Sequence, residues 1–178
     1  MINNNERSEE IREIYKQHFQ DVYRFISSFL TDTNDIEDLT QEVFIRLFKS
    51  LANFKGQSEL KTWIFSIARH VTYDHMKKQK KQKIISDRLL KFILPAKESI
   101  EEIIMIKEQN TVLYESLSCL NVDQRTVVIL RGIHQLSIKE TAKVLGWKES
   151  KVKVTYHRAL QILKKNLINN KELKEGMI

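Results

Sequence analysis

The side chains best suited to chemistry lie on one face of a predicted helix over residues 149–167. Lysine and arginine bind phosphates, while hydroxyl and imidazole groups reach base edges. Ala142, Gly146 and Val152 have the spacing of a helix-turn-helix, with a small residue, a left-handed glycine and an apolar anchor. Helix pairs with a purely structural role can carry the same three residues. The residues on the outer face of helix 149–167 are what favour binding in the major groove. Its members are Ser150, Lys151, Lys153, Val154, His157 and Arg158.

A second basic region lies upstream. Residues 61–83 hold seven basic side chains and one acidic side chain, and they include Trp63, Phe65 and Tyr73. Cations bind the nucleic-acid backbone and flat rings stack on unpaired bases, so this mixture suits single-stranded or opened nucleic acid. The helical spacing of Trp63 also fits a buried position, so its role stays open between core and stacking platform.

The amino-terminal third has the opposite charge. Residues 1–60 hold eleven acidic and seven basic side chains. Acidic residues at the start of the second predicted helix stabilise it through the helix dipole, and this alone would explain them. The same surface would repel a polyanion, so we expect its binding partner to be something other than a nucleic acid. The polar face consists of Asp35, Asp38, Gln41 and Glu42.

The types and spacing of the residues in the chain match no common catalytic or metal-binding motif. The sequence contains no HExxH, GxSxG or phosphate-binding glycine loop, and its five histidines are scattered. The single cysteine, Cys119, has no partner for a disulfide or a zinc site, and we interpret it as buried packing. We therefore predict no catalytic residue, no metal, no cofactor and no small-molecule substrate.

Composition favours an all-α fold. The 178 residues carry a net charge of +7 but only four glycines and one proline, too few for a turn-rich β-fold. We predict two small helical domains, 1–83 and 103–178, joined by a flexible linker over 84–102, with the helix-turn-helix in the second. The chain lacks an apolar run long enough for a membrane span and a signal pattern at its amino terminus, so we expect a cytoplasmic protein.

Apolar residues at three- and four-residue steps locate the predicted helices. Asn34 with Glu37, and Ser137 with Glu140, have the spacing of capping boxes, which mark helix starts. The predicted helices run from about Ser8 to Leu30, from Asn34, from Glu59 to about Lys80, from Ile103 to Leu117, from Gln124 to Arg131, from Ser137 to Leu145 and from Glu149 to about Leu167.

Two blocks of sequence resemble extracytoplasmic-function (ECF, group 4) sigma factors of the sigma-70 family. Residues 35–48 (DIEDLTQEVFIRLF), 54–58 (FKGQS) and 60–70 (LKTWIFSIARH), followed by Asp74, look like region 2. A second set of segments looks like region 4, namely residues 123–131 (DQRTVVILR), 137–146 (SIKETAKVLG), 150–153 and 157–159. The amino-acid sequence of the second block is most similar to the sigma-X type of Bacillus-like bacteria.

The resemblance implies a partner for each charged surface. In this family the acidic helix docks on clamp helices of the largest subunit of core RNA polymerase, which gives Asp35, Asp38, Gln41 and Glu42 a binding role. The loop at 55–59 and the third helix would recognise and open the −10 element of promoter DNA. The residues implied there are Lys55, Gly56, Gln57, Ser58, Lys61, Trp63, Arg69, His70, Asp74, Lys77 and Lys78.

Helix 149–167, with its six outer-face residues, would read the −35 element, and the linker would thread through the polymerase. The resemblance also implies a membrane-anchored anti-sigma factor that holds the protein inactive. The chain has Asn121 where many members have proline, and Val154 and Thr155 where they have serine and arginine. The alternative is a conventional helix-turn-helix regulator, which would bind palindromic duplex DNA without polymerase.

Overall fold

A computed structural model describes residues 4–51, 54, 56, 59–93 and 117–175. These residues form six α-helices and one π-helical turn and contain no β-strand, so the predicted all-α fold is confirmed. Residues 94–116, which include most of the predicted helix from Ile103, lie outside the described part of the chain. The helices are α1 (Asn4–Ser27), α2 (Thr33–Ser50), α3 (Leu60–Ile93), α4 (Val122–Val128), α5 (Ile138–Leu145) and α6 (Glu149–Glu175).

Contacts divide the chain into two compact units, which share α3. One unit comprises Met1–Asn53 and Ile67–Met105, and the other comprises Phe54–Ser66 and Ile106–Ile178. The first turns of α3 therefore group with the carboxyl-terminal helices, whereas the sequence prediction kept all residues up to 83 together. Within the second unit the ring of Phe65 packs on the ring of His134, with centroids 4.5 Å apart.

The first unit is built from α1, α2 and α3 from Ile67 onward. The apolar stripes of these helices face one another, as their spacing predicts. Rings extend this core toward solvent, since the Phe44 ring lies 4.7 Å from Tyr15 and 5.9 Å from Phe48 between centroids. The buried core includes Val22, Phe25, Ile26, Val43, Leu47, Ala68 and Val71.

α2 begins earlier than predicted. Asp32, in an extended conformation, is its N-cap and accepts hydrogen bonds from the backbone N–H groups of Asn34 (2.8 Å) and Asp35 (3.1 Å). The capping box predicted for Asn34 and Glu37 is therefore wrong. Asp32 caps as well as an asparagine and adds a negative charge at the positive end of the helix dipole, which favours the earlier start.

α3 continues past its predicted end near Lys80 and reaches Ile93. The segment from Lys77 to Ile93 contains no glycine or proline and is rich in lysine, glutamine and leucine, which are good helix formers. The first ten residues of the predicted linker are therefore helical. The helix propensity of the run KKQKKQK, residues 77–83, carries α3 past the end predicted near Lys80.

The second unit contains α4 and the π-helical turn Ile129–Ile133 that follows it. Asn121 caps α4, because its Oδ1 accepts from the N–H of Gln124 (2.9 Å) and its own N–H donates to Gln124 Oε1 (3.2 Å). The sequence analysis missed this capping box and treated Asn121 only as a departure from the family. Asparagine supplies a side-chain acceptor that proline lacks.

α5 and the turn after it follow the prediction closely. Ser137 Oγ accepts from the N–H of Glu140 (3.2 Å), and the Ser137 N–H donates to Glu140 Oε2 (2.6 Å). Gly146 ends α5 in the left-handed region, with φ +66°. Ala142 and Val152 are buried, so the helix-turn-helix is confirmed.

The prediction for Cys119 is wrong, because this residue is exposed. Leu117 and Leu120, on either side of it, are buried. These leucines hold the end of the preceding helical turn against the core, so the residues between them point outward. The hydrophobic character of cysteine gave no information about this local geometry.

We expect Gly146→Ala to lower the free energy of unfolding by about 1–2 kcal/mol, the penalty for a β-carbon in the left-handed region. A β-carbon at Gly146 meets no atom within 4 Å, so the loss comes from the backbone alone. Urea denaturation of the full chain measures it. The control is Gly132→Ala, whose β-carbon would lie 4.0 Å from Tyr156 Oη, and we expect no comparable loss there. Equal losses in both variants would contradict this account.

Hydrogen bonds with the Ser137 side chain and backbone lower the pKa of Glu140 from its ordinary value of 4.5. The folded state therefore favours the carboxylate, and this stabilisation is complete above pH 4.5 and is lost as the pH falls through the lower folded pKa. We expect Glu140→Gln to destabilise the chain less at about pH 3 than at about pH 6. The control is Glu149→Gln, which removes the same charge at the start of α6. A pH-independent difference for Glu140→Gln would refute the prediction.

Candidate nucleic-acid and polymerase interfaces

The outer face of α6 carries the side chains predicted to read the major groove. Val152 and Ala159 on the opposite face are fully buried, which fixes the rotation of the helix. Val154 is 49% exposed and offers an apolar contact of the kind that thymine methyl groups accept. All six predicted contact residues are exposed, namely Ser150, Lys151, Lys153, Val154, His157 and Arg158.

Arg131 joins the segment before α5 to α6. Its Nη1 donates to the carbonyl oxygen of Leu136 at 2.6 Å, and its guanidinium carbon lies 5.3 Å from the centroid of the Tyr156 ring. These contacts brace α6 from behind its outer face. The sequence analysis assigned Arg131 no role, because nothing in its spacing to Tyr156 indicates a contact.

The basic surface of α3 is partly formed by side chains that already contact protein groups. Lys61 and Arg69 are half-buried, and the guanidinium carbon of Arg69 lies 4.9 Å from the centroid of Tyr73. Tyr73 in turn meets the ring of Phe29 edge-on, at 6.2 Å. Apart from Trp63, the remaining predicted contact residues of α3 are exposed, namely His70, Asp74, Lys77 and Lys78.

The aromatic side chains near the start of α3 differ in exposure. Trp63 is half-buried and stacks on Phe54, with centroids 4.7 Å apart and an interplanar angle of 17°. Phe65 is 1% exposed, so the suggestion that this ring takes part in base stacking is wrong. Gly56 is exposed with φ +66°, and the other predicted loop contacts lie outside the described residues, namely Lys55, Gln57 and Ser58.

The acidic face of α2 contains two different environments. Asp38 and Gln41 are exposed, while Glu42 is half-buried and pairs with Arg46 at 2.7 Å. Asp35 is half-buried and bound to α3, because its Oδ2 lies 3.2 Å from His75 Nε2 and 2.9 Å from Gln79 Nε2. Asp35 therefore links α2 to α3. Its partners are forty or more residues away, and no local pattern could have identified them.

A shallow groove lies beside the exposed part of α2. It has a volume of about 350 Å³ and is lined by Tyr15, Phe19, Gln20 and Tyr23 of α1 and by Glu37 and Gln41 of α2. Tyr15 is 39% exposed, and its ring packs on Phe19 with centroids 5.2 Å apart. The polar face of α2 thus borders an aromatic surface that the sequence analysis did not identify.

The described residues contain no group of acidic, histidine or cysteine side chains that could hold a metal ion. None of the helices in this part of the chain has the length and apolar character needed to cross a bilayer.

Comparison with known protein families matches both helical parts of the chain. Residues 14–82 match Sigma-70 region 2, and residues 111–163 match Sigma-70 region 4. The first match covers α2 and most of α3, and the second covers the helix-turn-helix. Both blocks that the sequence analysis compared with sigma factors are thereby identified.

Two relatives from Bacillus subtilis agree with this assignment. The chain is 40% identical over 163 residues to the ECF RNA polymerase sigma factor SigX, covering 86% of this chain and 81% of SigX. It is 34% identical over 155 residues to the ECF RNA polymerase sigma factor SigM, covering 86% of this chain and 93% of SigM. The resemblance to the sigma-X type is confirmed by the first of these.

Two solved structures have a similar fold. The sigma factor RpoE of Bartonella quintana, in complex with the anti-sigma factor NepR, has a TM-score of 0.73 at 23% identity and covers 89% of this chain and 96% of its own. CnrH, in complex with the cytosolic domain of CnrY, has a TM-score of 0.68 at 19% identity and covers 91% of this chain and 90% of its own.

The fold and both matched regions define a sigma-70-type transcription factor. The chain belongs to the extracytoplasmic-function RNA polymerase sigma factors. Its function is promoter-specific initiation of transcription with RNA polymerase, and the conventional helix-turn-helix regulator is not favoured.

A double-mutant cycle tests the link between α2 and α3. We expect Asp35→Ala and His75→Ala to show a coupling energy of about 0.5–1 kcal/mol in urea denaturation, since the pair is half-buried and hydrogen-bonded. The control cycle pairs His75→Ala with Asp38→Ala, which removes an exposed carboxylate one turn along α2. We expect that cycle to be additive. Equal coupling in the two cycles would contradict the structural role of Asp35.

Proposed function

We propose that this sigma factor divides its work among three charged surfaces on α2, α3 and α6. The observation that carries the proposal is the separation of charge, with exposed acidic side chains on α2 and exposed basic ones on α3 and α6. DNA is a polyanion, so it is attracted to α3 and α6 and repelled by α2. The acidic surface is therefore left for a protein partner.

Core RNA polymerase would bind the polar face of α2. Asp38 and Gln41 are its most accessible members, and Glu42 stands beside them. Asp35, held by His75 and Gln79, would act mainly by fixing α2 against α3. The aromatic groove next to Gln41 adds apolar area to this surface, and burial of apolar area is the main favourable term in association.

The −10 element would be recognised and opened along α3 and the loop before it. Exposed His70, Lys77 and Lys78 provide contacts with the DNA backbone. The stacked pair of Trp63 and Phe54 is the aromatic surface nearest the loop, suited to a base taken out of the duplex. Lys55, Gly56, Gln57, Ser58, Lys61, Arg69 and Asp74 complete the set proposed from the sequence.

The −35 element would be read in the major groove by α6. Lys151, Lys153 and Arg158 supply cations for phosphates, and Arg158 also has the geometry for a guanine edge. Ser150, Val154 and His157 add polar and apolar contacts to base edges. The exposure of all six side chains supports this assignment.

The domain division proposed here remains 1–83, 84–102 and 103–178, with the middle segment threading through the polymerase. We also propose that this chain acts in the cytoplasm, where core polymerase works, and that a membrane-anchored anti-sigma factor regulates it. The structures of RpoE in complex with NepR and of CnrH in complex with the cytosolic domain of CnrY support such a partner. RNA synthesis itself belongs to the core enzyme, and no residue of this chain is assigned a catalytic role.

Run-off transcription tests the proposal directly. Purified core polymerase, with and without the chain, is supplied with a library of genomic fragments, and the transcript starts are sequenced. We expect defined starts that share a −35 and a −10 element only when the chain is present. If core polymerase is unaffected while the chain alone retards duplex DNA, the regulator alternative replaces the proposal.

A matched pair of variants tests the role of α6 in the same assay. We expect Lys151→Gln with Lys153→Gln to reduce transcription from the selected starts at least about tenfold, because each lost phosphate contact weakens binding and lowers its salt dependence. The control, Lys164→Gln with Lys165→Gln, removes the same charge from exposed positions further along α6. Equal losses in the two variants would contradict the assignment.

A further inference from the structure

Trp147, in the turn of the helix-turn-helix, contacts a residue of the recognition helix. The Nζ of Lys151 lies 3.5 Å from the centroid of the Trp147 ring, well within the range of a cation–π interaction. Trp147 is half-buried, and Lys151 is exposed on the face proposed to meet DNA. The sequence analysis gave Trp147 no role.

The position of Trp147 is determined by the turn. The N–H of Trp147 donates to the carbonyl oxygen of Ala142 at 2.9 Å, and the N–H of Gly146 donates to that of Lys143 at 3.3 Å. These two bonds with the left-handed Gly146 form a Schellman motif, which anchors the backbone at Trp147. The indole ring therefore projects from a fixed point four residues before Lys151.

A lysine side chain has many rotamers, and binding a phosphate restricts them. An aromatic ring that already holds the ammonium group removes part of this entropy loss before DNA arrives. The ammonium group has three N–H donors, and contact with one ring face leaves donors available for phosphate oxygens. Lys153 is also exposed, and no aromatic ring of the described residues lies over it.

We propose that Trp147 is a positioning residue for −35 recognition, which holds the Lys151 ammonium group at the start of α6 for contact with a DNA phosphate. This inference rests on the proposed role of α6. Lys151 lies in the first turn of the helix, where the helix dipole adds to the attraction for an anion. Trp147 acts through Lys151 and needs no contact of its own with DNA.

The first experiment measures binding of the holoenzyme to a duplex promoter fragment chosen from the run-off library. We expect Trp147→Leu to weaken binding about two- to fivefold, as loss of a cation–π contact predicts, without changing the slope of log affinity against log salt. Lys151→Gln should lower that slope by about 0.9, because it removes a phosphate contact. Trp147→Phe keeps a ring and should retain most of the affinity.

A double-mutant cycle separates positioning from a general structural effect. In a Lys151→Gln background, Trp147→Leu should have almost no further effect on promoter binding. In a Lys153→Gln background, Trp147→Leu should still weaken binding about two- to fivefold. If Trp147→Leu weakens binding by the same factor in both backgrounds, Trp147 supports the fold of the turn and the inference is wrong.

Nuclear magnetic resonance of the full chain tests the contact without DNA. Ring currents of Trp147 should shift the ε-methylene protons of Lys151 upfield, and Trp147→Leu should abolish this shift while those of Lys153 stay unchanged. An unshifted Lys151 in the folded wild type would overturn the inference.

If the wild-type holoenzyme selects no promoter, the proposed function fails and this inference fails with it. If promoters are selected but Trp147→Leu binds them normally, only the inference fails.

Discussion

The left-handed turn at Gly146 is the constraint on which the exposed basic face of α6 depends. A residue with φ +66° ends α5 and lets two backbone hydrogen bonds close the helix over Ala142 and Lys143. The chain can then reverse within three residues and start α6 at Glu149. The burial of Val152 and Ala159 then sets which side of α6 meets solvent. The position of the Trp147 backbone follows from this geometry.

Side-chain caps fix the starts of three helices in the described part of the chain. Asp32, Asn121 and Ser137 each accept backbone N–H groups at the start of a helix, and two of them form reciprocal boxes with the residue three positions on. This arrangement suits a protein with four glycines and one proline. It allows long helices such as α3 to continue as far as their propensity permits and to present charged faces over many turns.

Local chemistry made much of the fold predictable from the sequence, and its failures have local causes. The capping box of Ser137 and Glu140, the end of α5 at Gly146 and the exposed face of α6 depend on residues within one or two turns of each other. The start of α2 was wrong because Asp32 and Asn34 are both good N-cap residues, and it is Asp32 that accepts the N–H groups of Asn34 and Asp35. The end of α3 was wrong because the helix was predicted to stop within the lysine-rich run 77–83, although lysine and glutamine favour helices. The exposure of Cys119 depends on how its leucine neighbours pack, which composition does not reveal.

The sequence by itself determined the helical class, the two sigma-70 regions in their order and the separation of acidic from basic surfaces. Each of these depends on residue type and on spacing within a helix, which the chain carries before it folds. Tertiary structure alone decided that Asp35 is bound by His75 and Gln79, that Phe65 is buried while Trp63 stacks on Phe54, and that Arg131 reaches Tyr156. These contacts join residues on different elements. Helix packing sets their distances, and no periodic pattern in one element specifies a neighbour in another.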